Sequence, residues 1–169
     1  MRWPLLSLLL LAGCDNQPPP VVVEPLLLRV ADFGLYDIEV TGRTEADYTP
    51  SGHLSQVEAD HRQRTRKVPM VAGQAFGFEF DLHGEPFEGE RTLAFTLQHP
   101  PMTEPDGEMS EGFTHVITIK ADALPVHERF LFTFSEPFEM VPGHWLMTIH
   151  EGEQELARQP FEVVAAEAR

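Results

Sequence analysis

The stretch FGFEFDL, residues 76–82, places Phe76, Phe78, Phe80 and Leu82 on alternate positions, with Gly77, Glu79 and Asp81 between them. A period of two gathers apolar side chains onto one face only in a β-strand; on a helix the same residues would scatter around the axis. The pattern recurs in RTLAFTLQ (91–98), which turns Leu93, Phe95 and Leu97 inward, and in ERFLFTFS (128–135), which does the same with Phe130, Phe132 and Phe134. It appears again in HWLMTIH (144–150), through Trp145, Met147 and Ile149. Turn signals separate these runs: His-Gly-Glu-Pro at 83–86, Pro-Asp-Gly at 105–107, Pro-Gly at 142–143 and Glu-Gly at 151–152. Weaker strand patterns occupy 28–40, 52–65, 114–120 and 155–163; residues 52–65 also suit a helix by propensity and are read as extended. Seven or eight short antiparallel strands without a convincing long helix predict an all-β fold, an immunoglobulin-like β-sandwich over residues 26–165 followed by a short tail at 166–169. An up-and-down barrel around an internal cavity is the competing architecture, and the rows of large Phe side chains favour a filled interior.

The chain has 169 residues, of which 42% are hydrophobic and 23% charged, enough for one globular domain with a proper core. Acidic residues outnumber basic ones 27 to 12, and the net charge of -15 argues against nucleic acid as a partner. The single cysteine, Cys14, excludes an internal disulfide and a Cys-rich metal knot. It stands at the end of MRWPLLSLLLLAGC, where a positive start at Arg2 leads into an apolar run too short to span a bilayer. Leu11-Ala12-Gly13-Cys14 resembles the lipobox of bacterial lipoproteins. That resemblance implies a signal peptide at 1–13 and cleavage before Cys14. It also implies a diacylglycerol on the Cys14 sulfur and an acyl chain on its amine, the only non-protein groups expected. The protein would then be held in the cell envelope of a bacterium, facing the periplasm, with Asp15 favouring the inner membrane. Several acyl chains anchor a protein stably where one does so marginally. Residues 14–25, with prolines at 18–20 and 25, read as an extended tether of roughly 3 Å per residue.

Within the folded part, several pieces together resemble a family of small exported bacterial proteins known as domain of unknown function 3859. They are Phe33-Gly34-Leu35-Tyr36, Thr65 with Val68-Pro69, Gly73 and Phe76-Gly77-Phe78. They continue with His99-Pro100-Pro101, Pro105-Asp106-Gly107, Gly112-Phe113, Pro142-Gly143-His144-Trp145, and Phe161 with Val163. The resemblance supports the sandwich and implies no activity.

Chemistry is sparse. Ser51, Ser55, Ser110 and Ser135 lie outside any nucleophile-elbow pattern, so no catalytic residue is nominated. Eight histidines invite a metal reading, but His144 and His150 lie six residues apart, near 20 Å on a strand, and no His-x-His occurs. His83 with Glu85, Glu88 and Glu90 reads as a solvated acidic loop, so no metal ligand is nominated either. Two interaction candidates stand out. The segment 99–113 reads as a long proline-rich loop presenting His99, Glu104, Asp106 and Glu108. HRQRTRK, if extended, sets Arg62, Arg64 and Arg66 on one face about 7 Å apart with Lys67 beside them. That row suits an acidic partner, or it guards an edge strand by pairing with the domain's own acids. The leading expectation is a lipid-anchored, non-catalytic binding module for an envelope protein or glycan. The alternatives are a metal-assisted or glycan-processing envelope enzyme, and a carrier of a small apolar ligand, which requires a cavity.

Overall fold

A computed structural model describes residues 25–46, 49, 52–85 and 87–166. The expected signal peptide, Cys14 and nearly all of the tether lie outside the described residues, as does most of the tail.

Two sheets face each other. The four-stranded sheet has the order β2-β1-β4-β7 and the five-stranded sheet the order β3-β9-β8-β5-β6. The strands are β1 (Leu27–Glu45), β2 (His53–Gln63), β3 (Lys67–Met70), β4 (Ala75–His83), β5 (Glu90–Thr103), β6 (Met109–Lys120), β7 (Val126–Thr133), β8 (Gly143–Glu151) and β9 (Gln154–Ala165). Separate sheets exclude the barrel. The four strong alternations hold: Phe76, Phe78, Phe80 and Leu82 are buried, as are Leu93, Phe95, Leu97, Phe130, Phe132, Phe134, Trp145, Met147 and Ile149. Residues 52–65 are extended for most of their length, as β2.

Three expectations need correction. The described residues form nine strands where seven or eight were expected, because β3 is a separate four-residue element, and it pairs parallel to β9 where an all-antiparallel sandwich was expected. Arg66 sits at the bend where the chain leaves the four-stranded sheet and enters the other, so HRQRTRK is not one extended run. The segment 99–113 is not a loop: β5 continues to Thr103 and β6 begins at Met109, leaving a short turn. Pro100 and Pro101 are tolerated because they fall where the β5–β6 ladder shifts register, between Gln98 and Met102. Prolines cost no ladder hydrogen bond at such an irregularity.

The sheets are joined by an aromatic cluster. Trp145 on β8 is fully buried, donates its indole N–H to the Val141 carbonyl at 3.0 Å, and meets Phe76, Phe132 and Phe134 of the opposite layer at centroid distances of 5.7, 5.2 and 5.8 Å. Phe161 on β9 closes on Phe76 at 5.2 Å, edge to face. Edge-to-face rings add to area burial because a positive ring edge meets a negative face. His99 completes the cluster. Its ring stacks on Trp145 at 5.0 Å, its Nδ1–H donates to the Pro100 carbonyl at 2.8 Å, and its Nε2 has no protein partner. His99 therefore belongs to the core and not to an interaction loop. The motifs at 99–101 and 142–145, far apart in sequence, meet here: a Cβ on Gly143 would stand 2.8 Å from the Pro100 ring. Gly77 has the same office in β4, where its φ of +154° and a Cβ position 2.0 Å from the Phe130 carbonyl oxygen leave room for glycine only. Glu139 closes the end of the sandwich, accepting the backbone N–H groups of Ser135 and Glu136 at 2.6 and 2.8 Å; burial raises its pKa.

Truncating Phe76→Ala removes a ring that touches both layers and should lower unfolding free energy by about 3–5 kcal/mol, read as a shift in denaturant midpoint at unchanged slope. Burial lowers the pKa of His99 and disfavours the charged ring in the fold. The unfolded chain therefore binds a proton that the folded chain refuses, and stability falls as pH drops below the ordinary histidine value of about 6.5. His99→Phe keeps the stacking and removes the titration, so from about pH 7.5 to 5 it should lose less stability than the wild type, measured by denaturation across that range.

Candidate functional site

The two sheets are unequal, and the inequality makes a site. β7 is the last strand of the four-stranded sheet, while on the same side the other sheet extends one strand further, to β6. The inner row of β6 overhangs β7, the last strand opposite it among the described residues. Phe113, His115 and Ile117 are only half-buried although they continue the inward alternation of the core. Between β6 and β7 opens a cleft of about 630 Å³. Its floor is apolar, formed by Phe80 and Leu82 from β4, Leu93 and Phe95 from β5, Ile119 from β6 and Phe130 from β7. Polar groups stand at its rim: Lys120, Asp122, Glu128 and Arg129, all four of them exposed. Glu128 is informative. It pairs in register with the core residue Phe80, so it occupies the inward row of β7, yet it is exposed. A carboxylate is tolerated on an inner row only where water reaches it, which marks the mouth of the cleft.

The arginines of the candidate row engage the domain itself. Arg62 donates to Asp37 at 3.0 Å and to the Gln74 side chain. Arg64 donates to Asp32 at 2.9 Å, and its guanidinium lies 5.0 Å from the centre of the Phe33 ring. Arg66 lies over the same ring at 4.8 Å. Burial opposes ionisation of Asp32, but hydrogen bonds from Arg64 and the Phe33 backbone, with His61 nearby, outweigh it and hold the carboxyl below its ordinary value. Lys67 is exposed at the start of β3. β2, which carries Arg62, is an edge strand, so the arginines guard an edge and cross-link it to β1.

The acidic candidates Glu104, Asp106 and Glu108 occupy the β5–β6 turn. Glu108 donates its backbone N–H to Asp106 at 2.9 Å, and the Glu104 N–H reaches the Glu108 carbonyl at 2.8 Å. This turn lies at the β6 edge of its sheet, whereas Arg66 and Lys67 meet the opposite edge at β3, with β9, β8 and β5 between. The structure does not bring the two candidate groups together. Among the described residues no group of three or more His, Cys, Asp or Glu side chains is placed to hold a metal ion. Neither the cleft nor its mouth was anticipated from the sequence. The one signal was Glu128, a charge standing in an otherwise aromatic alternation.

Comparison with known proteins follows the fold. The chain is similar to an immunoglobulin-like protein from Pseudomonas aeruginosa, whose crystal structure matches with a TM-score of 0.59 at 24% identity, over 81% of this chain and 96% of that one. That likeness supports the fold alone. The alkylpurine DNA glycosylase AlkC of Pseudomonas fluorescens, bound to DNA containing an abasic site analogue, matches with a TM-score of 0.37 at 12% identity, over 58% of this chain and 27% of that one, and so remote a likeness carries no argument. No curated protein matches. A family model covers residues 25–163, nearly the whole sandwich, and the chain accordingly belongs to the family described as Domain of unknown function (DUF3859).

Proposed function

We propose that this protein is a lipid-anchored module of the bacterial envelope that binds rather than catalyses, and that its ligand is an elongated apolar molecule seated in the cleft between β6 and β7. The cleft carries this reading. Its volume of about 630 Å³ falls within the range of roughly 300–1,000 Å³ usual for small-molecule sites. Its floor, formed by residues such as Leu93, Phe95 and Ile119, is apolar, and His115 on the inner row of β6 is the half-buried polar side chain among the lining residues, so most of the buried part of a ligand needs no hydrogen bond. An alkyl chain meets that requirement, its polar end resting in water among the charged groups at the rim. Binding draws on area removed from water, about 25 cal/mol per Å² of apolar surface. The internal engagements of Arg62, Arg64 and Arg66 favour the edge-guarding reading of that row over the docking of a partner. The anchor rests on the sequence: the lipobox at 11–14, and a proline-bearing stretch that would hold a strongly acidic domain clear of anionic headgroups.

Purified protein should bind the fluorescent probe N-phenyl-1-naphthylamine saturably, and palmitate should displace it. Ile117→Arg should abolish binding with little change in melting temperature, while Arg64→Glu with Arg66→Glu should leave binding in place. Absence of saturable binding, or binding lost through the arginine pair and kept in Ile117→Arg, would overturn the cleft as the site. Separately, cells fed labelled palmitate should yield labelled protein with Cys14 as its first residue, and Cys14→Ser should abolish the label. An unlabelled wild-type protein would remove the anchor and leave the cleft to be judged by the binding assay.

A further inference from the structure

Two sheets have four edges, and three of these are defended. β2 is charged along its length, with Glu58, Asp60 and Arg62. β3 is four residues long and contains Pro69. β7 carries Glu128 on its inward row and Arg129 beside it. Charge, proline, shortness and inward carboxylates are the means by which natural sheets discourage edge-to-edge pairing. β6 has none of them over its central part. It pairs with β5 on one side, and among the described residues no strand pairs with its other side. Residues 113–119, FTHVITI, contain no Asp, Glu, Lys, Arg, Pro or Gly. Their pairing with β5 runs without a register shift. Aromatic and β-branched residues dominate the stretch, which gives it strong strand character.

The outer face there is equally free of charge. Val116 is 56% exposed and stands beside Thr114 and Thr118, opposite Thr92, Ala94 and Thr96 of β5. In a chain of net charge -15, a long edge free of carboxylates running into an uncharged outer face of Thr, Ala and Val is the surface where a second copy can approach with least repulsion.

We infer that β6 pairs antiparallel with β6 of a second copy, centred on Val116. Antiparallel strand pairing about a two-fold axis is isologous, so one stretch serves as its own complement. The Val116 centre is selected because it alone lays the whole stretch 113–119, free of Asp, Glu, Lys and Arg, against itself, residue 113 opposite 119 and 114 opposite 118. It matches outer row to outer row, as the side-chain period of two demands. Threonine meets threonine across the junction, a stabilising cross-strand pair. Because like faces join, both four-stranded sheets lie on the same side of the extended sheet. The two clefts then open toward each other over a common floor made by β6 and its copy. The pairing does not rest on the ligand reading, since a chain that binds nothing would still associate through this edge.

The test uses the full chain with Cys14→Ser, which removes the only native thiol. Sedimentation equilibrium should give a dimer. Adding Val116→Lys should raise its dissociation constant about tenfold or more, equivalent to 1.4 kcal/mol or more, with the melting temperature of the monomer unchanged because this side chain is on the surface. Adding Val116→Cys should give a disulfide-linked dimer under mild oxidation, whereas Thr114→Cys, which the register sets opposite Thr118 of the copy, should not. A monomer at high micromolar concentration, a dimer indifferent to Val116→Lys, or equal cross-linking by the two cysteine variants would each overturn the pairing. A monomer whose β6 amides are nevertheless protected from hydrogen exchange would give the edge to another occupant, the segment before Pro25 included, and would equally sink the inference.

Discussion

The contact on which the structure depends is the meeting of aromatic rings across the two sheets around Trp145. With no disulfide available, the layers are held together by buried area and ring geometry alone. Phe76, Phe132 and Phe134 approach Trp145 from the four-stranded side and His99 from its own sheet, while Phe161, its register partner on β9, meets Phe76. The cluster also dictates which backbone positions have no room for a side chain. Gly143 is needed because Pro100 must pass it if His99 is to reach Trp145, and Gly77 is needed because β7 comes close enough to place Phe130 in the core.

Much of this was legible from alternation. A period of two is a statement about which side chains share a face, and burial then follows for Phe76, Leu93, Phe130 or Trp145 with no knowledge of their neighbours. What alternation cannot report is where a strand lies in its sheet. Phe113 and Ile117 carry the same pattern as Phe78 and Leu97, yet the first two are half exposed and the second two are buried. The difference lies in the count of strands opposite, which is a property of topology. The cleft therefore escaped a reading of the sequence, although Glu128, out of place on an inner row, was a local trace of it.

The other departures share a cause: the rules of thumb for proline and for charge runs are local, and tertiary packing overrode them. Two consecutive prolines signal a loop until a register shift in β5 takes them up and carries the strand to Thr103. A basic run suggests a ligand until its arginines find Asp32, Asp37 and Phe33 within the same domain. His99, in a proline-rich acidic segment, looked like a surface residue. Packing against Trp145 removes it from water, and the cost of a charged imidazole there is what lowers its pKa.

Charge is distributed unevenly over the two outer faces, and the pattern points to the same side of the molecule as the cleft. On the four-stranded sheet, Asp81 takes hydrogen bonds from His127 and Arg29, which hold its carboxyl below the ordinary value, and Glu79 takes one from Arg129. Ionic rows of this kind keep a face solvated and unattractive to other sheets. On the five-stranded sheet, the β5–β6 end offers Thr96 and Thr114 bonded to each other at 3.0 Å, with Ala94 and Val116 alongside. Stability of the isolated domain gives no reason for this contrast, since charges on the outer face of β6 would leave the aromatic cluster untouched. A face kept neutral beside an apolar opening, in a chain otherwise so acidic, is explained if apolar matter has to come close there.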